Sequence, residues 1–109
     1  MGSTGEAYEV RYERAALDGL AALDKGDANR VFKKVNALEH SPDQQGVPLG
    51  NKANIDLTGY RKLVLLDRRV RAIYRVEGSS LVRVIVIGKR EDMEVYRLAL
   101  AEIDRLGLA

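Results

Sequence analysis

Three strand-like runs follow one another closely in residues 60–88, which read YRKLVLLDRRVRAIYRVEGSSLVRVIVIG. The runs cover residues 60–66, 70–76 and 81–88, and the connections between them are only three and four residues long. Connections this short predict antiparallel hairpins. The last run is apolar on both faces after Arg83, so we expect it in the interior of the sheet.

The residues before this segment predict one strand and two helices. Residues 8–12 alternate apolar and charged side chains, which is the period of a half-buried strand. A helical pattern starts at Glu13, and Lys25-Gly26 should end it. Its inward stripe consists of Ala16, Leu17, Leu20 and Leu23.

A second helix should begin at a cap on Asp27 and run to about Glu39. Its inward residues, at spacings of four and three, are Val31, Val35 and Leu38. Because the connection between the two helices is short, we expect them to form an antiparallel hairpin. Residues 40–59 hold too many breakers for a continuous element, so we expect a loop with a short ordered middle.

A final helix should follow the three strands, with Asp92 as its candidate cap. Its apolar face consists of Tyr96, Ala99, Leu100, Ile103 and Leu106. The predicted order is therefore β-α-α-β-β-β-α, an α+β domain whose helices pack against a twisted, mainly antiparallel sheet. We expect a flexible leader over residues 1–7 and a single domain over residues 8–109.

Composition excludes several classes of protein. A chain of 109 residues can bury one modest core. Cysteine is absent, which excludes disulfides and thiolate metal sites and suits a reducing cytoplasm. No apolar run approaches the roughly 18–20 residues that span a bilayer, so we expect a cytoplasmic protein with no membrane partner. A lone His40 cannot build a histidine-rich metal site, and glycine-rich phosphate loops are absent.

Positive charge is concentrated in residues 60–97. That segment holds ten Lys or Arg against five Asp or Glu, whereas the whole chain carries a net charge of only +2. A basic face favours a nucleic-acid partner, because guanidinium forks engage two phosphate oxygens at once. Arginines on a surface nevertheless pair most often with nearby carboxylates, and we expect this pairing for Arg68, Arg69, Arg75 and Arg83.

Alternation along the middle strand separates its residues onto two faces. One face would carry Arg71, Ile73 and Arg75, and the other would carry Val70, Ala72, Tyr74 and Val76. Arg90 should lie between a strand end and a helix N-terminus, a junction that attracts anions. Tyr96 shares an apolar stripe, and its hydroxyl would sit at the edge of the core.

Three segments of the chain strongly resemble the RelE family. They are residues 56–62 (DLTGYRK), 70–76 (VRAIYRV) and 87–96 (IGKREDMEVY). The most specific parts are the Arg-x-x-Tyr of the middle strand and the Gly-Lys-Arg that is followed by Val-Tyr. Members of this family are toxins of bacterial and archaeal toxin–antitoxin pairs. The resemblance extends over nearly the whole chain from Tyr8 and implies a RelE-like, microbial-ribonuclease-like fold.

The resemblance also implies an activity, which is ribosome-dependent cleavage of messenger RNA in the decoding site, without metal or cofactor. The ribose 2′-hydroxyl attacks the adjacent phosphate. By resemblance, Arg71 would hold the scissile phosphate and Arg90 would assist the leaving oxygen or bind phosphate. Tyr96 would stack on or orient the substrate, and Lys62 would favour deprotonation of the 2′-hydroxyl electrostatically. The implied partners are the ribosome, messenger RNA and a RelB-like antitoxin whose extended segment wraps the toxin.

One position departs from the family pattern, because Val64 stands where the family has a second lysine. Arg61, or Arg68 and Arg69 in the following hairpin, would be candidates to compensate. The further cations that we expect to contact RNA are Arg61, Arg68, Arg69, Arg75 and Lys89.

Two alternatives remain open at this point. A ParE-like relative would poison DNA gyrase as a binding inhibitor and would cut nothing. The presence of Arg71, Arg90 and Tyr96 together argues against it, because a gyrase binder has no need of that set. An inactive member that serves only antitoxin binding is the second alternative, and Val64 keeps it open.

Overall fold

The computed structural model describes residues 7–52, 54–89 and 93–108. Its helices are α1 (Arg14–Ala21), α2 (Lys25–Asn36) and α3 (Glu94–Leu106). Its strands are β1 (Glu9–Tyr12), β2 (Val47–Pro48), β3 (Asn51–Lys52), β4 (Ile55–Asp56), β5 (Arg61–Leu65), β6 (Val70–Glu77) and β7 (Leu81–Lys89). Short 3-10 turns occupy Ala37–Glu39 and Pro42–Gln44.

The main sheet has five strands in the order β1-β7-β6-β5-β2, and β3 and β4 form a separate small hairpin. β1 runs parallel to β7, whereas the other neighbouring strands are antiparallel. The predicted α+β class and the mainly antiparallel sheet are therefore confirmed. β7 lies between β1 and β6, which confirms the interior position predicted from its apolar run.

The segment between α2 and β5 holds more regular structure than its breakers predict. β2, β3 and β4 are each two residues long, too short to show an alternating pattern in the sequence. β2 lies at the edge of the main sheet and ends in Pro48. Proline is tolerated there because an edge strand has no ladder partner on its outer side.

The boundary between the first two helices differs from the prediction. α1 ends at Ala21 and α2 already begins at Lys25, so the expected stop at Lys25-Gly26 and the cap at Asp27 are wrong. Asp24 is the N-cap, and its carboxylate accepts a hydrogen bond of 2.8 Å from the backbone N–H of Asp27. Gly26 then lies in the first turn, where backbone N–H groups have no helical partner in any case.

The sheet separates two apolar clusters, and we name its two sides after the helices that cover them. On the α1/α2 face, Val31, Val35 and Leu38 are fully buried, as predicted, against the sheet. Leu17 was expected in this core but is 51% exposed, because the stripe that packs on the sheet runs through Ala16 and Leu20.

The α3 face holds the second cluster, to which α3 contributes Val95, Tyr96, Ala99 and Ile103. β6 confirms the predicted alternation, since Tyr74 belongs to the α1/α2 cluster and Ile73 to the α3 cluster.

A bulge interrupts β7, because Ile73 pairs with Val86 while Tyr74 pairs with Val84. The extra residue, Ile85, packs with Val86 in the α3 cluster, so the bulge aims two consecutive side chains at α3.

A buried carboxylate joins α3 to α1. Glu102 accepts hydrogen bonds from Arg105 and, at 3.0 Å, from the backbone N–H of Ala15 in the first turn of α1. The side chain of Glu13, at the cap position of α1, makes no cap hydrogen bond, so Glu102 satisfies this helix end from α3. The Arg105 guanidinium and the Ala15 N–H lower the pKa of Glu102. At the start of α3 the cap position is Met93, and Asp92, the predicted cap, lies outside the described residues.

Candidate active site

The predicted catalytic residues of β5 and β6 lie on the α3 face of the sheet. Leu65 of β5 packs in the α1/α2 cluster, so alternation puts Lys62 and Val64 on the other side. In β6, Arg71 shares its face with Ile73 of the α3 cluster. The register places Val64 directly opposite Arg71, and Lys62 opposite Ile73. Lys62 and Arg71 are therefore diagonal neighbours, about 7–8 Å apart at this kind of position.

Arg71 has an unused hydrogen-bond donor. Its side chain is half-buried, its Nε is buried, and that Nε has no hydrogen-bond partner in residues 7–52, 54–89 and 93–108. Among the described residues the guanidinium also forms no ion pair. A buried donor without an acceptor is unfavourable by about 1–3 kcal/mol, and native proteins rarely keep one without a reason. The arrangement leaves this arginine free to engage an anion that approaches the α3 face.

Lys62 and Tyr96 are brought together although 34 residues separate them. The Lys62 Nζ lies 3.5 Å from the Tyr96 hydroxyl, a long hydrogen bond that links β5 to α3. The Tyr96 ring is packed in the α3 cluster and the residue is only 5% exposed. In this arrangement the hydroxyl is the part of Tyr96 that meets the site.

Arg90 lies outside the described residues, so its predicted role stays a prediction. Lys89, the residue before it, is exposed at the end of β7 and pairs in register with Val70. The structure therefore assembles Lys62, Arg71 and Tyr96 at one end of the α3 face.

Arg61 is directed away from this site. Its Nε donates to the carbonyl of Gln45 at 3.1 Å, and its terminal nitrogen donates to the carbonyl of Gly46 at 3.3 Å. The Tyr74 hydroxyl also lies 2.6 Å from the Gln45 carbonyl. Arg61 and Tyr74 thus anchor the loop that leads into β2, on the α1/α2 side. The two residues of the Arg-x-x-Tyr motif consequently serve different faces, with Arg71 on one and Tyr74 on the other.

A second group of arginines forms an ion-pair network at the far end of the α3 face. Arg75 contacts Glu77 at 2.8 Å, and its guanidinium lies 5.6 Å from the centre of the Tyr60 ring. Arg83 bridges Glu77 at 2.7 Å and Glu13 at 2.6 Å. The pairing expected for Arg75 and Arg83 is confirmed, and these side chains are occupied by carboxylates of the same chain.

The hairpin between β5 and β6 presents the remaining cations. Leu66, Asp67 and Arg68 all have positive φ, at 51°, 54° and 74°, and the Arg69 N–H donates to the Leu66 carbonyl at 3.1 Å. A left-handed conformation costs about 1–2 kcal/mol per residue for such side chains. Arg69 reaches Asp27 at 3.5 Å, while Arg68 forms no ion pair within the part of the chain that the structure describes.

Three of the predicted RNA contacts meet at this hairpin. A cavity of about 620 Å³ lies between the hairpin and the start of α2. Its charged lining residues are Arg68, Arg69 and Lys89 and the carboxylates of Asp24, Asp27 and Asp67. The mixture of charges makes this a weaker anion site than the surroundings of Arg71.

The Glu77 network gives a pH prediction. Hydrogen bonds and charge from Arg83, and then from Arg75, lower the pKa of Glu77 to about 2 from its ordinary value near 4.5. A carboxylate whose pKa is lower in the folded state stabilises the fold at pH values above its unfolded-state pKa. This stabilisation is lost as the pH falls through the folded-state pKa. With the carboxylate 24% exposed, we expect a loss of about 1–2 kcal/mol between pH 5 and pH 2.

This prediction is checked by urea unfolding at a series of pH values. In Glu77→Gln the acid-dependent loss of stability should shrink by about 1 kcal/mol relative to the wild type. An unchanged pH profile in the variant would contradict the role assigned to the network.

The described residues contain no cluster of three or more histidines or carboxylates that could hold a metal ion. None of the helices within the described ranges is long and apolar enough to cross a membrane.

The partners of the surface arginines could not be identified from the sequence. Glu13 and Glu77 stand 70 and 6 residues away from Arg83, and no local spacing links the three. Without a structure, these carboxylate partners would have to be found by measuring stability, either as the carboxylates are protonated or in variants that reverse the charges of both partners.

Comparison with known proteins adds information at the level of the fold. No family model and no curated protein matches the chain. Among solved structures, isolated RelE toxin from E. coli is 26% identical with a TM-score of 0.63, over 89% of this chain and 99% of that one. An arginine double mutant of E. coli RelE in complex with a peptide of the antitoxin RelB is 28% identical with a TM-score of 0.60, over 86% and 95%. A chromosomal ParDE system from P. aeruginosa matches at 18% identity and a TM-score of 0.60, over 78% and 98%, which shows a shared fold alone.

Proposed function

We propose that this chain, which belongs to the RelE/ParE superfamily of toxins, cleaves messenger RNA in the ribosomal decoding site. It would act as the toxin of a type II toxin–antitoxin pair and be neutralised by a RelB-like antitoxin in the cytoplasm. The reaction is a transesterification in which the ribose 2′-oxygen attacks the adjacent phosphorus. The bond to the 5′-oxygen breaks, and the proton lost from the 2′-hydroxyl is balanced by one gained at the leaving oxygen.

The observation that carries this proposal is the guanidinium of Arg71, whose buried Nε is unsatisfied and which forms no ion pair with any described residue. Negative charge grows on the non-bridging phosphate oxygens as the 2′-oxygen attacks. A guanidinium that is already in place, with no carboxylate of the described residues paired to it, stabilises that charge without first breaking such an ion pair. Arg75 and Arg83 lack this advantage, because Glu77 holds both.

Lys62 and Tyr96 would act beside Arg71 as a pair. The Lys62 ammonium lies close to the Tyr96 hydroxyl and adds positive potential where the 2′-oxygen must lose its proton. Because the Tyr96 ring is buried between α3 and the sheet, we propose that this tyrosine orients the substrate through its hydroxyl and not by stacking. Arg90 would assist the leaving oxygen, as the resemblance implies.

Primer extension on ribosomes programmed with messenger RNA tests the proposal. We expect cleavage at a fixed position within the codon that occupies the decoding site, and none on the same messenger RNA without ribosomes. A gyrase supercoiling assay runs in parallel. Inhibition of supercoiling with no cleavage of ribosome-bound messenger RNA would replace this function by the ParE-like alternative.

Val64 is the observation that keeps a second candidate function open. It presents an aliphatic side chain, 42% exposed, directly opposite Arg71. An apolar group in the middle of the site suits contact with a protein such as gyrase, or with an antitoxin, better than it suits phosphate binding.

Restoring the family lysine should therefore raise activity. In Val64→Lys we expect ribosome-dependent cleavage about tenfold faster, since a second cation close to a phosphate is worth about 1–4 kcal/mol. The rate is measured by single-turnover primer extension. Leu17→Lys adds the same charge on the α1/α2 side, where the residue it replaces is also exposed, and should leave the rate unchanged. Equal rates in the wild type and Val64→Lys would mean that a second cation at this position does not limit the reaction.

A further inference from the structure

We infer that the free edge of β1 pairs with the same edge of a second copy of this chain, so that two sheets join into one. This inference goes beyond the proposed function and does not rest on it. The stretch that carries it is residues 8–12, which read YEVRY. Read in either direction, this stretch is the same apart from an exchange of Glu for Arg.

The strand β1 has one paired edge and one open edge. The N–H groups of Glu9 and Glu13 donate to carbonyls on the β7 side at 2.8 and 2.9 Å. Because successive strand residues direct their backbone groups to opposite edges, Val10 and Tyr12 direct theirs outward. Among the described residues, the N–H groups of Val10 and Tyr12 have no backbone partner on that outer side. An open edge of this kind is ready to pair with another strand.

The charges of β1 match each other when a second copy runs antiparallel. With Val10 facing its own counterpart, Glu9 faces the second copy's Arg11, and Arg11 faces the second copy's Glu9. These are the non-hydrogen-bonded positions of an antiparallel ladder, where Cα atoms lie only about 4.5 Å apart. The Glu9 and Arg11 side chains are 63% and 49% exposed, so both are available for such pairs. A parallel pairing in register would instead place like charges opposite each other.

An aromatic cluster lies on the other face of the same strand. Tyr12 stacks on Phe32 of α2 with 5.6 Å between the ring centres, and Phe32 is 44% exposed. The Tyr12 hydroxyl donates to Asn36 at 2.6 Å, which holds the ring in that position. The antiparallel pairing places the second copy's Tyr8 opposite Tyr12, beside the exposed Phe32 ring. Cross-strand aromatic pairs stabilise antiparallel ladders, and aromatic side chains are enriched at protein interfaces.

The length of the free edge limits the strength of the contact. The Tyr8 N–H already donates to the Glu39 carbonyl at 2.9 Å, so in β1 the outward N–H groups of Val10 and Tyr12 would carry the ladder. A contact this short falls below the roughly 1,200 Å² of a standard interface, so the dimer should be weak and dependent on concentration. The candidate active site stays open, because β7 and β6 separate the strand of Lys62 from β1.

Sedimentation velocity of the full chain over a concentration series at low salt tests this inference. We expect a reversible equilibrium between monomer and dimer. Glu9→Arg and Arg11→Glu, each alone, place like charges opposite each other and should raise the dissociation constant about tenfold or more. Both changes in one chain restore opposite charges and should restore the dimer. An equimolar mixture of the two single variants should form a mixed dimer, which would show that both variants are folded.

Hydrogen exchange followed by NMR locates the contact. The amide protons of Val10 and Tyr12 should exchange more slowly as the concentration of the chain rises. A chain that stays monomeric up to about 1 mM would overturn the proposal, as would a dimer that both single variants leave intact. Because the candidate active site is not part of the contact, ribosome-dependent cleavage should be equal in all of these variants. An absence of cleavage would therefore contradict the proposed function and leave the dimer as it is.

Discussion

Arg71→Ala is expected to lower the rate of ribosome-dependent cleavage of messenger RNA about 10²- to 10³-fold. This is the range found when a preorganised charge-stabilising group is removed. The same change should leave the free energy of unfolding unchanged or slightly raised. The reason is that Arg71 makes no hydrogen bond through its buried Nε and no ion pair with a described residue. Alanine therefore removes an unsatisfied donor and breaks no hydrogen bond or ion pair to a described residue.

The combination of these two outcomes is what identifies a functional residue. Arg75→Ala is the matched control, because Arg75 lies on the same strand and the same face but is paired with Glu77. It should lose a few tenths to about 1 kcal/mol of stability. Because Glu77 holds the Arg75 guanidinium, which we had expected to contact RNA, cleavage should stay close to the wild-type rate. Arg71→Lys should retain part of the activity, since it keeps the charge but loses the two-pronged geometry. Cleavage that survives Arg71→Ala, or falls equally in Arg75→Ala, would contradict the assignment.

Much of the fold could be predicted because its signals are local. The three closely spaced runs from Tyr60 onward gave the antiparallel strands, and the period of two in β6 separated Arg71 from Tyr74 correctly. The helix boundary at Asp24 was missed because Gly26 resembles a helix stop unless the cap before it is recognised. The parallel pairing of β1 with β7 joins distant segments, and no pattern within either strand announces its partner.

Strand alternation together with the resemblance predicted where part of the candidate site lies. The resemblance singled out Lys62, Arg71 and Tyr96, and the structure brings them to one face. Arg61, expected to compensate for Val64 or to contact RNA, points instead to the opposite side of the sheet from Lys62. That distinction depends on which face Leu65 buries, and burial is a property of the whole fold.

Gly19→Ala is expected to destabilise the fold by about 3 kcal/mol, although alanine in a helix is ordinarily about 1 kcal/mol better than glycine. The change of sign comes from packing. A Cβ at Gly19 would lie 1.6 Å from the carbonyl oxygen of Ile87 and 2.7 Å from its carbonyl carbon. Both atoms belong to the backbone of β7, which is fixed between β1 and β6 and cannot yield as a side chain would. α1 must therefore move off the sheet.

Urea unfolding followed by circular dichroism measures this effect, and Gly26→Ala supplies the control. Gly26 lies in the first turn of α2, where a Cβ would come no closer than 3.7 Å to the Asp24 carboxylate. Its replacement should be neutral or stabilising by up to about 1 kcal/mol. Equal unfolding midpoints for Gly19→Ala and the wild type would show that α1 does not depend on this close approach to β7.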